Sequence, residues 1–173
     1  MANDSGTPMA YPLAYFLTWT TYGSWLPGDE RGWVDKPGEF MAPDRRRESA
    51  AQIRMTEPEA SLDSQQRDVV EATISEHCRI RGWYLHVAHC RTQHVHVVVT
   101  AAEHDPDDVL NQLKAWCTRR LKERQRAALK AEALGAAVRE KWWTQGGSRR
   151  RLYDEDSLAA AIRYVREDQD RPR

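Results

Sequence analysis

Two neighbouring segments, GWYLHVAH at residues 82–89 and QHVHVVVT at residues 93–100, show the alternating or continuous apolar pattern of β-strands. A short polar break at residues 91–92 separates them, as expected for a tight turn. The two segments therefore predict an antiparallel hairpin. Side chains two residues apart in a strand share one face, so Val95 and Val97 are expected to point into the core.

The segments on either side extend this hairpin into a longer pattern. Strands are predicted at residues 11–20 and within 141–152, and helices at 64–80, from Asp105 onward, and at 154–168. The resulting order is β, α, β, β, α, β, followed by one more helix. This order is typical of the split βαβ, or ferredoxin-like, arrangement. We therefore predict an α+β fold with an antiparallel sheet, helices on one face and an added C-terminal helix.

The domain organisation follows from length and from the distribution of Gly and Pro. A chain of 173 residues suits one domain, which we place at residues 10–173, after a disordered tail at residues 1–9. Residues 22–60 are rich in Gly and Pro and predict a long irregular insertion within that domain. A loop of this length in a compact domain is usually functional or mobile.

Composition excludes several classes of protein. Seven tryptophans, six tyrosines and two phenylalanines provide groups to bury, which a disordered chain would lack. No segment approaches the roughly 18 consecutive apolar residues of a membrane span, and the N-terminal sequence MANDSGTPMA lacks the pattern of a secretory signal. Three cysteines without a CxxC pair argue against a disulfide framework or a cysteine zinc site. We expect a cytoplasmic protein.

Charge is balanced overall but unevenly distributed. The chain has 26 basic and 26 acidic residues, yet residues 114–130 contain seven basic side chains and one acidic one. Three arginines follow at 149–151, and tryptophans lie nearby, a combination that suits a surface for a nucleic-acid backbone and its unpaired bases. The alternative is a solvated helix face. The candidate DNA-binding residues are Lys114, Arg119, Arg120, Arg149 and Arg150.

Two histidines lie within the second strand of the hairpin. His94 and His96 are two residues apart, so their imidazoles share one face and can converge on one metal ion or one phosphate. The competing explanation is a chance H-x-H among six histidines. His89, on the preceding strand, is predicted to pair across from His94. It is a candidate metal ligand, supporting partner or rim residue.

Tyr164 lies in the last predicted helix, within AAAIRYV. Helical spacing allows Tyr164 and Asp168 to lie on one face. A phenol has a pKa of about 10, so it is a poor nucleophile at neutral pH unless a divalent cation or a base assists it. The competing explanation is an ordinary half-buried tyrosine at a contact between helix and sheet.

The segment HVHVVVT, combined with Tyr164 in a C-terminal helix, resembles the single-tyrosine HUH transposases. Within that group it is similar to the insertion-sequence-200-like family, and more closely to its REP-associated tyrosine transposase branch. The similarity extends to two further segments, FLTWTTYGSWLPGDERGW at 16–33 and WWTQGGSRRRLYDEDSLAAAIRYV at 142–165. The resemblance covers residues 11–169. It implies a ferredoxin-like domain that cuts and rejoins single-stranded DNA, often at hairpin or repeat ends.

The resemblance also implies roles for individual residues. Tyr164 matches the nucleophile, which becomes joined to the 5′-phosphate and frees a 3′-hydroxyl. His94 and His96 match the ligands of an Mg²⁺ or Mn²⁺ ion. A third ligand matches either Asp168, whose anionic oxygen suits a hard cation, or Gln169, whose amide is the residue type common in the family. The implied partner is single-stranded or hairpin DNA, bound by a monomer or a homodimer.

Two other functions fit parts of the sequence. A histidine-triad-type phosphoesterase would need a third histidine where this chain has Val98. A non-catalytic, domesticated nucleic-acid-binding domain would keep the fold and the basic helix without cleaving DNA. Because every residue expected for cleavage is present, we favour the transposase and rank the binding domain second.

Overall fold

The hairpin predicted from the two apolar segments is present and belongs to a four-stranded sheet. The structure is a computed structural model that describes residues 11–36, 39–132 and 135–168, apart from the side chain of Asp168. In chain order the elements are β1 (Ala14–Thr20), β2 (Trp33–Lys36), β3 (Glu39–Met41), α1 (Arg45–Ile53), α2 (Ser64–Arg81), β4 (Tyr84–Cys90), β5 (His94–Thr100), α3 (Pro106–Ala131), β6 (Ser148–Leu152), α4 (Glu155–Arg163) and a π-helical turn (Tyr164–Asp168).

The topology of the sheet is that of the predicted split βαβ fold. The strand order is β4-β5-β1-β6, and every neighbouring pair is antiparallel. The chain leaves β1, returns through α2 to the edge strand β4, forms the hairpin with β5, and then passes through α3 to the opposite edge strand β6. The predicted fold class is therefore confirmed.

The two faces of the sheet are covered by different helices. On β5, Val95 and Val97 are completely buried against residues of α2 and α3. Full burial of such a side chain contributes about 1.5–3 kcal/mol of hydrophobic stabilisation. On the opposite face, Val98 packs against apolar residues of α4. Because side chains alternate along a strand, His94 and His96 lie on the face that α4 covers.

The helices that frame the hairpin begin after acidic capping residues. Asp63 accepts a hydrogen bond from the backbone N–H of Gln66, and the Gln66 side chain accepts one from the backbone N–H of Asp63. Asp105 caps α3 by accepting from the backbone N–H of Asp107, with Pro106 as the first helical residue. These caps satisfy backbone donors that the helix itself leaves unpaired.

Residues 22–60 are more ordered than predicted. They contain the hairpin of β2 and β3 and the helix α1, whose N-cap Asp44 accepts from the backbone N–H groups of Arg46 and Arg47. The prediction of a wholly irregular segment is wrong because α1 buries no residue and so lacks the apolar stripe that identifies a helix in a sequence. The predicted tail at residues 1–9 lies outside the described residues.

The described helices include none that is both long and apolar enough to span a membrane. All three cysteines, Cys78, Cys90 and Cys117, are buried and free of disulfide bonds. Burial raises the pKa of the Cys78 and Cys90 thiols to about 12. These thiols therefore stay protonated at neutral pH and act as small apolar groups of the core.

Candidate active site

The imidazoles of His94 and His96 lie side by side on the sheet, with ring centroids 4.8 Å apart. Burial lowers the pKa of His96 to about 3, with smaller contributions from His94 and His89. Burial is also the largest cause of the lowered pKa of His94. Both rings are therefore neutral at pH 7. A neutral imidazole retains a nitrogen lone pair, the form in which histidine binds a metal ion.

Thr18 of β1 contacts one of these imidazoles. The register of β1 and β5 places Thr18 opposite His96, and Thr18 Oγ1 lies 2.8 Å from His96 Nδ1. This contact occupies Nδ1 and leaves Nε2 for another partner. Hydrogen bonds of this kind hold the rings of metal-binding histidines in orientation. Thr18 could not be identified from the sequence, because only the pairing of two strands distant in the chain brings it to His96.

Tyr164 stands at the junction of α4 and the π-helical turn. Its ring lies edge-on to that of His96, with centroids 5.7 Å apart, and edge-on to that of Phe16 on β1, with centroids 5.9 Å apart. The structure thus brings the predicted nucleophile and the predicted pair of metal ligands together within one chain. The π-helical turn itself is a rare element that occurs frequently at functional sites.

His89 lies beside this cluster, in a register different from the predicted one. It pairs across the sheet with His96 rather than His94, because the turn lies at Thr92 and Gln93, one residue later than predicted. The Arg91 N–H donates to the backbone oxygen of His94, and Cys90 pairs with Val95. His89 Nδ1 lies 3.3 Å from the backbone oxygen of Val165, which can only accept, so Nδ1 is the donor. The contact joins β4 to the residue after Tyr164, and this favours the supporting role for His89.

The predicted third ligand was chosen between Asp168 and Gln169. The side chain of Asp168 and the whole of Gln169 lie outside the described part of the chain. α-Helical spacing would place Asp168 on the same face as Tyr164, but the backbone from Tyr164 onward is π-helical and no longer has that spacing. Both residues stay predictions. Among the described residues, no group of three or more His, Cys, Asp or Glu side chains is arranged to hold a metal ion.

A cleft of about 450 Å³ opens beside Tyr164 and His96. It is lined by Phe16, Thr18, His96, Ser148, Arg150, Ala160, Ala161 and Tyr164. Arg150 lies on β6 opposite Phe16. Among the described residues its guanidinium forms no hydrogen bond and no ion pair within 4 Å, although its charge interacts with that of Asp154. Of the five candidate DNA-binding residues, Arg150 is thus the one that the fold places beside the tyrosine.

Lys114 occupies a different environment. Its Nζ donates hydrogen bonds of 2.7 Å to the backbone oxygens of Thr144 and Gly146, in the turn before β6. Burial lowers its pKa to about 8, with a further contribution from the positive charge of Arg149. Lys114 therefore fastens α3 to this turn, and its predicted contact with DNA stays a prediction.

The remaining candidate arginines form ion pairs with neighbouring acids. Arg119 Nε lies 3.0 Å from a carboxylate oxygen of Glu123, and Arg120 reaches the other oxygen of the same residue at 3.2 Å. Arg149 Nε lies 2.8 Å from Asp107 at the start of α3. These pairs are partly exposed, and a phosphate would have to compete with the carboxylate in each case.

Comparison with known proteins finds solved structures that resemble this chain, but no match by sequence. No family model and no curated protein matches the chain. A crystal structure of a protein assigned as a transposase from Deinococcus radiodurans R1 is similar with a TM-score of 0.50 and 17% identity, over 95% of each chain. A REP-associated tyrosine transposase bound to a REP hairpin has a TM-score of 0.48 and 11% identity, over 95% of this chain and 70% of that one. The Deinococcus structure confirms the fold that the resemblance implied: this chain has the fold of that protein.

Proposed function

We propose that this protein is a metal-dependent enzyme that cleaves and rejoins single-stranded DNA through a 5′-phosphotyrosine intermediate, at hairpin or repeat ends. The observation that carries the proposal is the contact between the Tyr164 and His96 rings, centroids 5.7 Å apart, within one chain. A half-buried structural tyrosine would not need a neighbouring pair of neutral imidazoles or an arginine lining the same cleft.

In the proposed cleavage step, Tyr164 Oη attacks the phosphorus of the scissile phosphate. The bond between Oη and phosphorus forms while the bond between phosphorus and the 3′ oxygen breaks, and the electron pair leaves with that oxygen. The phenol loses one proton and the 3′ oxygen gains one, exchanged through solvent. Rejoining is the reverse attack by a 3′-hydroxyl, so the bond energy is conserved in the phosphotyrosine and no ATP is required.

His94 and His96 are the residues proposed to hold the cation, with His96 offering Nε2 because Nδ1 is occupied by Thr18. A bound Mg²⁺ or Mn²⁺ ion would polarise the phosphate and offset the charge that develops on the leaving oxygen. The donor set fits a divalent cation, since both imidazoles are neutral and share one face. It suits Mn²⁺ better than Mg²⁺, because Mg²⁺ prefers oxygen ligands.

The proposed partner is DNA with an unpaired segment, drawn into the cleft beside Arg150. Because Tyr164 contacts His96 within one chain, a single subunit offers the nucleophile and the imidazole pair without exchange of helices between subunits. A monomer is therefore sufficient for this site, and a homodimer would carry two of them. We expect the protein in the cytoplasm, on the nucleoid when DNA is bound.

The test is a denaturing gel of the protein with a labelled single strand from the repeats flanking its gene, which folds into a hairpin with unpaired ends. With Mn²⁺ or Mg²⁺ we expect a band that migrates as protein joined to DNA, and without a divalent cation we expect none. Binding without any covalent product would instead support the non-catalytic nucleic-acid-binding domain.

The Thr18→Val substitution tests how the imidazole is held. Valine keeps the shape of the side chain but removes Oγ1, so His96 loses its orienting contact. We expect the Mn²⁺ concentration that gives half-maximal adduct formation to rise about 10- to 100-fold. Thr18→Ser restores the hydroxyl and should restore the metal dependence. An unchanged half-saturating concentration in Thr18→Val would show that Thr18 has no role in the metal site.

Substitution of Arg150 by Gln tests the electrostatic contribution of the cleft. If Arg150 contacts a phosphate, binding should weaken similarly for all sequences, and the slope of log K against log salt should fall by about 0.7. Arg119→Gln provides the comparison on α3, where the guanidinium pairs with Glu123. A similar change of slope in Arg119→Gln would extend the DNA contact along α3. An unchanged slope in Arg150→Gln would exclude it from phosphate binding.

A further inference from the structure

A second and larger cleft, of about 770 Å³, adjoins the one beside Tyr164. Thr18 and Ser148 line both clefts, so the two lie next to each other at β1 and β6. Its other walls are the segment from Trp25 to Lys36 and the turn at residues 144–147. We call it the tryptophan cleft, after Trp25 and Trp33. The function proposed above assigns no role to these residues.

The indole rings of this cleft are held in place by the backbone around them. Trp25 Nε1 donates a 2.6 Å hydrogen bond to the backbone oxygen of Gly32, and Trp33 Nε1 donates one of 3.2 Å to that of Ala42. The guanidinium of Arg47 lies over the Trp33 ring, 4.7 Å from its centroid. Trp33 is 5% exposed, so the partly exposed Trp25 is the ring that offers a flat apolar surface, and its fixed position keeps the cost in conformational entropy small.

Trp19 of β1 also belongs to the lining, while its indole is buried in the core. It is 1% exposed, and its Nε1 is buried without a hydrogen-bond partner among the described residues. The turn opposite β1 approaches closely: a Cβ at Gly147 would lie 2.7 Å from the backbone oxygen of Thr18, and the φ of Gly147 is +154°. Lys114 holds this turn through its bonds to the oxygens of Thr144 and Gly146. The turn at residues 144–147, which faces the tryptophans, is therefore held in a fixed position.

Cations lie at the border of the tryptophan cleft. Lys36 is exposed in its lining, and Arg149 contributes there while paired with Asp107. The one acidic side chain of the lining, Asp35, lies 3.7 Å from Arg47 and is thereby partly neutralised. An apolar interior bordered by positive charge suits a ligand that combines a flat apolar ring with a phosphate.

We propose that the tryptophan cleft binds one unpaired nucleobase of the DNA strand, close to the phosphate that Tyr164 attacks. The proposal rests on the proposed function, which places that strand in the adjoining cleft. A nucleobase has an apolar face that stacks on an indole and polar edges that the exposed side chains of Gln145 and Ser148 in the lining can meet. The cleft is also within the range of about 300–1,000 Å³ that is usual for sites of small ligands.

The experiment removes one base at a time from the DNA. Using the hairpin probe of the adduct assay, an abasic site is placed in turn at each unpaired position, and binding to the wild-type protein is measured. We expect one position at which the missing base weakens binding at least about fivefold, since stacking of one base is worth that much or more. For Trp25→Ala the same abasic probe should bind as well as the intact one, because the stacking surface is already absent.

Two further variants control for damage to the fold. Trp25→Phe keeps an aromatic ring and should keep the sensitivity to the missing base. Tyr84→Ala removes an aromatic ring that is 68% exposed on β4 and does not line the cleft, and it should behave as wild type. The scan of the wild-type protein requires no substitution, so it remains decisive even if Trp25→Ala is unstable.

The outcomes separate this proposal from the one on which it rests. If the wild-type protein forms the covalent adduct but no abasic position weakens binding, or if Trp25→Ala retains the same sensitivity, the base site is refuted and the enzymatic function stands. If no adduct forms with any probe, the enzymatic function fails. A base-dependent loss of binding that disappears in Trp25→Ala would then still support the tryptophan cleft as a base site.

Discussion

The Tyr164→Phe variant should form no covalent adduct with DNA, a loss of at least about a thousandfold in the rate. Phenylalanine keeps the edge-on packing of the ring against His96 and Phe16 and removes only Oη. DNA binding should therefore stay within about threefold of the wild-type value. The measurement is the amount of protein-linked DNA on a denaturing gel, with binding followed separately on a native gel.

Tyr153→Phe is the matched control for this result. Tyr153 lies between β6 and α4 and is 54% exposed, and it does not line the cleft that contains His96. Its loss should leave adduct formation unchanged. An adduct that persists in Tyr164→Phe and disappears in Tyr153→Phe would move the nucleophile to the other tyrosine and overturn the assignment.

His96→Ala is expected to reduce adduct formation at least about a hundredfold at a fixed concentration of Mn²⁺. Removal of a residue that only orients a metal ligand costs about 10- to 100-fold, and removal of a ligand itself should cost more. His96 is 7% exposed, and alanine would also remove the ring that Tyr164 contacts. Calorimetric titration with Mn²⁺, in the absence of DNA, measures the loss of metal binding independently of activity.

His86→Ala provides the comparison within the same sheet. His86 lies on β4, its Nε2 is 2.8 Å from Thr100 Oγ1, and burial lowers its pKa as it does for His96. It does not line the cleft beside Tyr164. We expect its loss to affect stability but neither Mn²⁺ binding nor the adduct. Equal Mn²⁺ binding by His96→Ala and the wild-type protein would refute the proposed metal site.

Where apolar periodicity was strong, the sequence was sufficient to predict the structure. The alternation in HVHVVVT predicted both the strand and its two faces, and the valines at 95 and 97 are fully buried as expected. The helices predicted at 64–80 and from Asp105 onward correspond to α2 and α3, which begin after the acidic caps Asp63 and Asp105. The helix α1 escaped prediction because it buries no residue and so carries no such pattern.

The candidate site likewise contains residues that a local sequence pattern identifies and residues that it does not. His94, His96 and Tyr164 could be named in advance because strand alternation and the resemblance each identify a residue by its local sequence. Thr18, Arg150 and Trp25 could not be assigned to the site from their local sequences. Their neighbours come from other strands and loops. The sequence offered Arg150 as one of several candidate DNA-binding arginines, and only the pairing of β6 with β1 places it in the cleft beside Tyr164.

The amino-acid sequence by itself determined the elements of the split βαβ core and which face of β5 carries the histidines, but not β2, β3 or α1. Those properties follow from local periodicity and short-range capping, which depend on residues close together in the chain. Only the tertiary structure decided that Tyr164 meets His96, that Thr18 contacts its Nδ1, and that Trp25 borders the adjoining cleft. These contacts join residues far apart in the chain, so they depend on strand register and helix packing, to which no local pattern is sensitive.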